Sequence, residues 1–146
     1  MTSRIAMRTP WWFWAVAIAG LVWNCGGPFD WVMTKTHNAS YLAAMTPAQR
    51  TWMAGYPVWM EAAWAVGVWG ALLGSILLLA RSRLAVAVFA ASLGGLAVST
   101  LYQYGSGTMP TDMKTPGGLA FLAAIWVIAV ALLWFAARMR ARAILR

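Results

Sequence analysis

Four apolar stretches, each about as long as a bilayer-crossing helix, constrain this chain more than any other feature. A helix needs about 20 residues to cross ~30 Å of hydrocarbon. The first stretch begins at Trp11 and runs to about residue 30, with Pro28 either kinking or ending it. The second covers 58–80, the third 84–104 and the fourth 117–137. Apolarity is continuous within each stretch rather than alternating, which predicts helices and not the strands of a membrane barrel. The expected fold is an all-α membrane protein, a four-transmembrane-helix bundle in one domain over 1–146. Composition agrees, at 62% hydrophobic and 10% charged, against roughly 45–50% and about 25% in soluble domains. The lipid bilayer is therefore the expected partner of most of the surface.

Arg4 and Arg8 ahead of the first apolar run outline a signal peptide. A small-residue cleavage site is lacking, and Trp23 and Asn24 are too bulky to precede a lipid-modified Cys25, so the segment reads as a retained helix. Basic residues orient the bundle. Arg4, Arg8, Arg81, Arg83, Arg138, Arg140, Arg142 and Arg146 fall on one side, and Lys35, Arg50 and Lys114 on the other. Both termini are expected in the cytoplasm, with the loops after the first and third spans outside. The same placement accounts for a net charge of +8, which in a soluble chain would suggest nucleic acid. No aromatic–basic recognition motif accompanies the charge, so nucleic acid is not an expected partner.

Local signals sharpen the layout. Thr46-Pro47-Ala48-Gln49 is a capping box with proline at the first helical position, predicting a short amphipathic helix in the first outer loop, from Pro47 to about Ala54. Thr115-Pro116 starts the fourth span in the same way. The tight turn Arg81-Ser82-Arg83 makes the second and third spans an antiparallel hairpin. Small residues recur every four positions along both, as Ala63, Gly67, Ala71 and Ser75 and as Ala87, Ala91, Gly95 and Ser99. Such ridges let helix backbones approach closely in lipid. Gly70 and Gly74 form a GxxxG on a neighbouring face, a candidate contact for a homo-oligomer.

Polar chemistry gathers toward the outer side. Counting along the spans places Glu61, Tyr102 and Gln103 at the outer edge of the hydrocarbon, with Asn24 and Asp30 leaving the first span at the same level. Together with Gln49 and Trp59 these residues define a candidate outer polar pocket. Glu61 reads as an ion-pair residue beside Lys35 or Arg50, or as a proton-coupling group, since a carboxylate in a membrane helix is costly. Trp11, Trp12, Trp14 and Trp134 fit one interfacial belt, and Trp31, Trp52 and Trp59 the other. Trp64, Trp69 and Trp126 sit deeper, as core residues or as stacking surfaces for a ring.

Other chemistries find little support. One cysteine and one histidine supply too few ligands for a metal or haem site, and no cofactor is expected. His37, Asp30 and Ser40 lack the strained nucleophile turn and oxyanion donors of a hydrolase, so no catalytic residue is assigned. Asn38-Ala39-Ser40 is a formal glycosylation acceptor, relevant only to a eukaryotic secretory protein.

Several residues carry a family resemblance: Trp23-Asn24, Phe29-Asp30-Trp31, Tyr41, Thr46-x-x-Gln49, Pro57-x-Trp59, Trp64-Ala65 and the Gly70–Gly74 segment. Across about residues 20–95 the chain resembles a family of small bacterial four-helix inner-membrane proteins, often labelled automatically as sugar transporters or as uncharacterised. The resemblance implies the bacterial inner membrane. It does not imply sugar transport, because the Pro-Gln signature of small sugar-transporting helix triplets is missing. Two functions follow as expectations: binding or transport of a small solute through the outward-facing polar pocket, or service as a non-transporting accessory or scaffold subunit of a larger membrane complex.

Overall fold

The computed structural model describes residues 9–146; Arg4 and Arg8, two of the arginines on which the expected orientation rests, lie outside them. Helices α1 (Trp11–Asn24), α2 (Gly26–Lys35), α3 (Ala39–Ala43), α4 (Pro47–Ala54), α5 (Val58–Leu79), α6 (Leu84–Gly105) and α7 (Pro116–Ala141) follow in order, with a single 3-10 turn at Thr111–Met113 before α7. Among the described residues there is no strand. Helices α5, α6 and α7 are long and apolar enough to cross a membrane, as an integral membrane protein requires.

The first apolar stretch is two helices. Pro28 has no N–H to donate, and its ring crowds the carbonyl four residues earlier, that of Asn24. The helix is interrupted at Cys25, whose backbone nonetheless stays in the helical region at φ −68° and ψ −26°. The ladder resumes where the Phe29 N–H donates to the Cys25 carbonyl at 3.2 Å. Pro28 therefore breaks the helix without turning the chain. At ~1.5 Å per residue α1 alone is about 21 Å long, too short to cross ~30 Å of hydrocarbon.

Together α1 and α2 run antiparallel to α5 along its length. Asn24 Nδ2 donates to Ser75 Oγ at 2.9 Å and to the Ala71 carbonyl at 3.3 Å. Further on, Gly27 lies so close to Val68 that an added Cβ would come within 2.9 Å of the valine Cβ. At the far end Lys35 Nζ meets Glu61 Oε1 at 2.6 Å. Each step toward Lys35 matches a step back toward the start of α5.

The tightest packing joins α5 to α6. A Cβ on Gly95 would fall 2.6 Å from the Ala63 carbonyl oxygen and 2.6 Å from the Gly67 nitrogen. Ser92 Oγ donates to the Gly67 carbonyl at 2.6 Å. Gly70 faces Ser92 and Gly74 faces the Phe89 ring, so the GxxxG pair is occupied within the chain. Two details differ from the sequence expectation. Ala63 and Gly67 face α6, whereas Ala71 and Ser75 face α1 through Asn24. On α6, Gly95 and Ser99 are buried while Ala87 and Ala91 are exposed. A strict four-residue series drifts about 40° per step around a helix of 3.6 residues per turn, so it leaves the contact face after one or two steps. The series Ala63, Gly67, Gly70, Gly74 alternates steps of four and three and stays on it.

One end of the bundle carries all the described arginines except Arg50, and it is closed by an apolar plug. Phe13, Leu78, Phe89, Leu132, Met139 and Leu145 belong to a single buried cluster there, and Phe13 stacks on Phe135 at 5.9 Å between ring centroids. The segment after α7 folds back over the α5–α6 turn. The Arg146 N–H donates to the Arg81 carbonyl at 2.7 Å and the Arg83 N–H to the Arg146 carbonyl at 3.1 Å, which seats Ile144 and Leu145 in the plug.

Three helices end in one way. His37, Arg81 and Ala143 adopt φ of 52°, 57° and 54°, and the next N–H bonds back to the carbonyl five residues earlier in each case. These are Schellman terminations built without glycine. They give His37 a structural job as the left-handed residue that ends α2, a conformation histidine tolerates better than most.

Gly95→Ala is expected to destabilise the protein by about 1–3 kcal/mol, because the new methyl meets backbone that cannot give way. Gly94 has nothing within 4 Å of an added Cβ, so Gly94→Ala serves as control and should be neutral or slightly stabilising. Thermal unfolding in detergent, followed by circular dichroism, compares the two.

Candidate functional site

Between α1 and α2 on one side and α6 and α7 on the other lies a cavity of about 700 Å³, with α5 as its floor. Its volume follows from side-chain size, since Gly27, Gly67, Ala71, Ser92, Ser99 and Ala129 line it and are too small to fill it. Near the arginine end α7 closes on α1, where an added Cβ on Gly20 would come 2.9 Å from Leu132. Further along, the Trp23 and Phe121 rings meet across the gap between α1 and α7, at 6.2 Å between centroids. Asp30, Tyr41 and Gln103 line its other end and are partly exposed, so the cavity opens there, and none of the plug residues lines it.

The expected pocket residues divide into two groups. Asn24, Asp30 and Gln103 line the cavity. Gln49, Trp59, Glu61 and Tyr102 do not. Gln49 is spent on the capping box, accepting from the Thr46 N–H at 3.1 Å and donating to Asp112 Oδ2 at 3.3 Å. Glu61 pairs with Lys35, and with the two side chains 35% and 34% exposed that pair contributes little, about 0–1 kcal/mol. Trp59 packs edge-on against Tyr102 at 5.3 Å, within an aromatic group that includes Tyr56 and Trp52.

Asn24 does not lie level with Glu61, as counting along the first span implies. Its partners Ala71 and Ser75 are ten and fourteen residues further along α5, about 15–21 Å away. The broken helix carries the first stretch on to Lys35 and so places Asn24 near its middle. Asn24 thus marks the deep end of the cavity and Asp30 its shallower wall.

Asp30 is held by Tyr41, whose hydroxyl donates to Oδ1 at 2.5 Å. Tyr41 is delivered by α3, a single turn capped by Asn38, whose side chain accepts from the Tyr41 N–H at 3.0 Å. That contact occupies the side chain of the formal glycosylation site. Burial, then the hydrogen bond to the Asp30 carboxylate and its charge, push the Tyr41 phenol up to about 12. Burial also pushes the Tyr56 phenol well above its ordinary value, against a lowering hydrogen bond from Gln103.

Sequence reasoning assigned Ser99 to packing, left Trp64 between core and stacking surface, and overlooked Ser92 and Thr100 as lining residues. A signal was present on α6. Ser92, Ser99, Thr100 and Gln103 are spaced at i, i+7, i+8 and i+11, one polar stripe on an otherwise apolar helix. Trp126, read as deep, reaches the same stripe by donating from Nε1 to Thr100 Oγ1 at 3.3 Å. Among the described residues no three His, Cys, Asp or Glu side chains converge as metal ligands.

The chain matches no protein-family model, no curated protein and no solved structure.

The raised Tyr41 pKa has a pH consequence. An unfolded tyrosine ionises near pH 10, so the stability that protonated Tyr41 contributes is full below pH 10 and is lost as pH rises through about 12. Spectrophotometric titration of the folded protein should show a phenolate step near pH 12 that disappears in Tyr41→Phe. In Asp30→Asn that step should move down yet stay above pH 10, because burial is the larger cause.

Proposed function

We propose that this protein is a four-span inner-membrane protein that binds a small amphipathic solute in a one-sided cavity, without passing it across the membrane. Helices α1 and α2 together act as the first span, with the arginine end in the cytoplasm and α3 and α4 on the outer side. The reading is supported most directly by how the cavity ends. It reaches inward from Asp30 and Gln103 as far as Asn24, and beyond lies the plug of Phe13, Leu78, Leu132 and Leu145. A transported polar solute would need a continuous polar path, since uncompensated polar groups are expensive in apolar surroundings. The plug offers none.

The lining suits an amphiphile rather than a sugar. Trp23, Phe29, Trp64, Leu96, Phe121 and Ile125 supply broad apolar surface, while the polar groups cluster at Asn24, Asp30 and the α6 stripe. Ligand sites of this kind are mostly apolar, with a few placed polar groups that fix orientation. The resemblance to small four-helix inner-membrane proteins belongs to the same proposal and supports the location, not transport. The rival scaffold reading draws on the exposed Trp11, Phe121 and Trp134, which lipid alone accounts for.

Native mass spectrometry of protein extracted gently from its own membrane should show a retained small amphiphile. Ala129→Phe, which pushes a ring into the cavity, should lose it while keeping the fold. A wild-type protein that carries nothing, or a variant that keeps the same ligand, contradicts the proposal.

A further inference from the structure

The cavity wall has a one-sided hydrogen-bond character. Asn24 spends both Nδ2 hydrogens, on Ser75 Oγ and the Ala71 carbonyl, and so turns only its Oδ1 acceptor to further partners. Ser92 donates its hydroxyl hydrogen to the Gly67 carbonyl, Ser99 to that of Gly95, and Thr100 to that of Leu96. A hydroxyl has one hydrogen and two lone pairs, so each of these groups can now only accept. Tyr41 likewise gives its hydrogen to Asp30 Oδ1. The lining donors that remain are the Gln103 amide and the indoles of Trp23 and Trp64, none of them charged.

Asp30 adds a formal negative charge to this acceptor surface. Among the described residues the ion pair is Lys35 with Glu61, which leaves the Asp30 carboxylate with a neutral phenol as its partner. Its Oδ2 is free to accept from a ligand. A carboxylate facing an apolar cavity in a membrane helix is costly unless a cation shares the space.

We propose that the cavity selects amphiphiles with a protonated amine head, seated between Asp30 Oδ2 and the acceptors of α6, with the alkyl or aryl tail against Trp23, Phe121 and Ile125. This inference rests on the cavity being a ligand site and adds the chemistry of the ligand. An ammonium group brings up to three donors and a positive charge, the complement of a wall of acceptors with one carboxylate. A carboxylate head would meet Asp30 as a like charge, and an alcohol brings a single donor and no charge. Charge-assisted hydrogen bonds are the stronger kind, so head-group chemistry rather than tail length sets the preference.

The test uses the protein in nanodiscs of zwitterionic lipid, with octylammonium, octanol and octanoate as probes. Intrinsic tryptophan fluorescence reads binding, because Trp23 and Trp64 line the cavity. The net charge of +8 favours octanoate and opposes octylammonium non-specifically, so general electrostatics work against the expected result. Octylammonium should bind at least ~10-fold more tightly than either other probe. Asp30→Asn should abolish that preference, Asp30→Glu should keep part of it, and Asp112→Asn should leave it unchanged. Should Asp30→Asn fail to fold, the comparison of three probes on the wild type, with Asp30→Glu, decides the matter. Equal affinities that all vanish in Ala129→Phe overturn amine selection and leave the cavity reading standing. Binding of none of the probes overturns both.

Discussion

The close approach of α5 and α6 is the contact on which the rest of the structure depends. Gly67 and Gly95 bring two backbones together with no room for a side-chain carbon between them, and Ser92 ties the pair with a bond to the Gly67 carbonyl. In lipid the apolar surface of a helix gains nothing by being hidden from its surroundings, so association relies on packing and a few polar ties. A hairpin joined this tightly is a rigid floor. The broken α1–α2 rod leans on one side of it through Asn24, and α7 leans on the other through Trp126 and Thr100. The cavity is the space left where those two outer elements fail to meet.

That space is polarised along the bundle. At the arginine end Leu132 closes on Gly20 beside a separate apolar depression of about 490 Å³ between α1 and α7, and the returning segment seats Leu145 and Ile144 in the same core as Leu132. At the other end Pro28, Gly26 and Gly27 spoil the first helix and supply no bulk. One proline thus has two effects. It interrupts α1, and it allows Asn24 and Asp30 to stand in one wall, with Asn24 anchored at depth and Asp30 braced by Tyr41 from outside the rod.

Much of this was legible in the sequence, and the misses have physical causes. Helices α5, α6 and α7 start at Val58, Leu84 and Pro116, within a residue of the expected positions, because prolines and the Arg81–Arg83 turn punctuate the chain. The capping box at Thr46 and Gln49 forms as those residues dictate. The depth of Asn24 was misjudged because continuous apolarity measures a span only until a polar residue interrupts it, and the first rod continues through Asp30 to Lys35. The small-residue ridges were read with a step of four, while a helical face alternates three and four. Gln49, Trp59, Glu61 and Tyr102 were grouped with the cavity by depth alone, yet depth does not fix the direction in which a side chain points on its helix.

The central claim is that a cavity open at the Asp30 end stops at an apolar plug inside one membrane protein. In a Cys25→Ser background, single cysteines at Ser99 and Ala71 on the cavity wall, and at Ala85 and Ala136 in the plug, are exposed to a membrane-impermeant thiol reagent added from outside intact cells. Labelling at residues 99 and 71 with protection at 85 and 136 is the predicted result. Labelling at all four positions, or protection of all four, contradicts it.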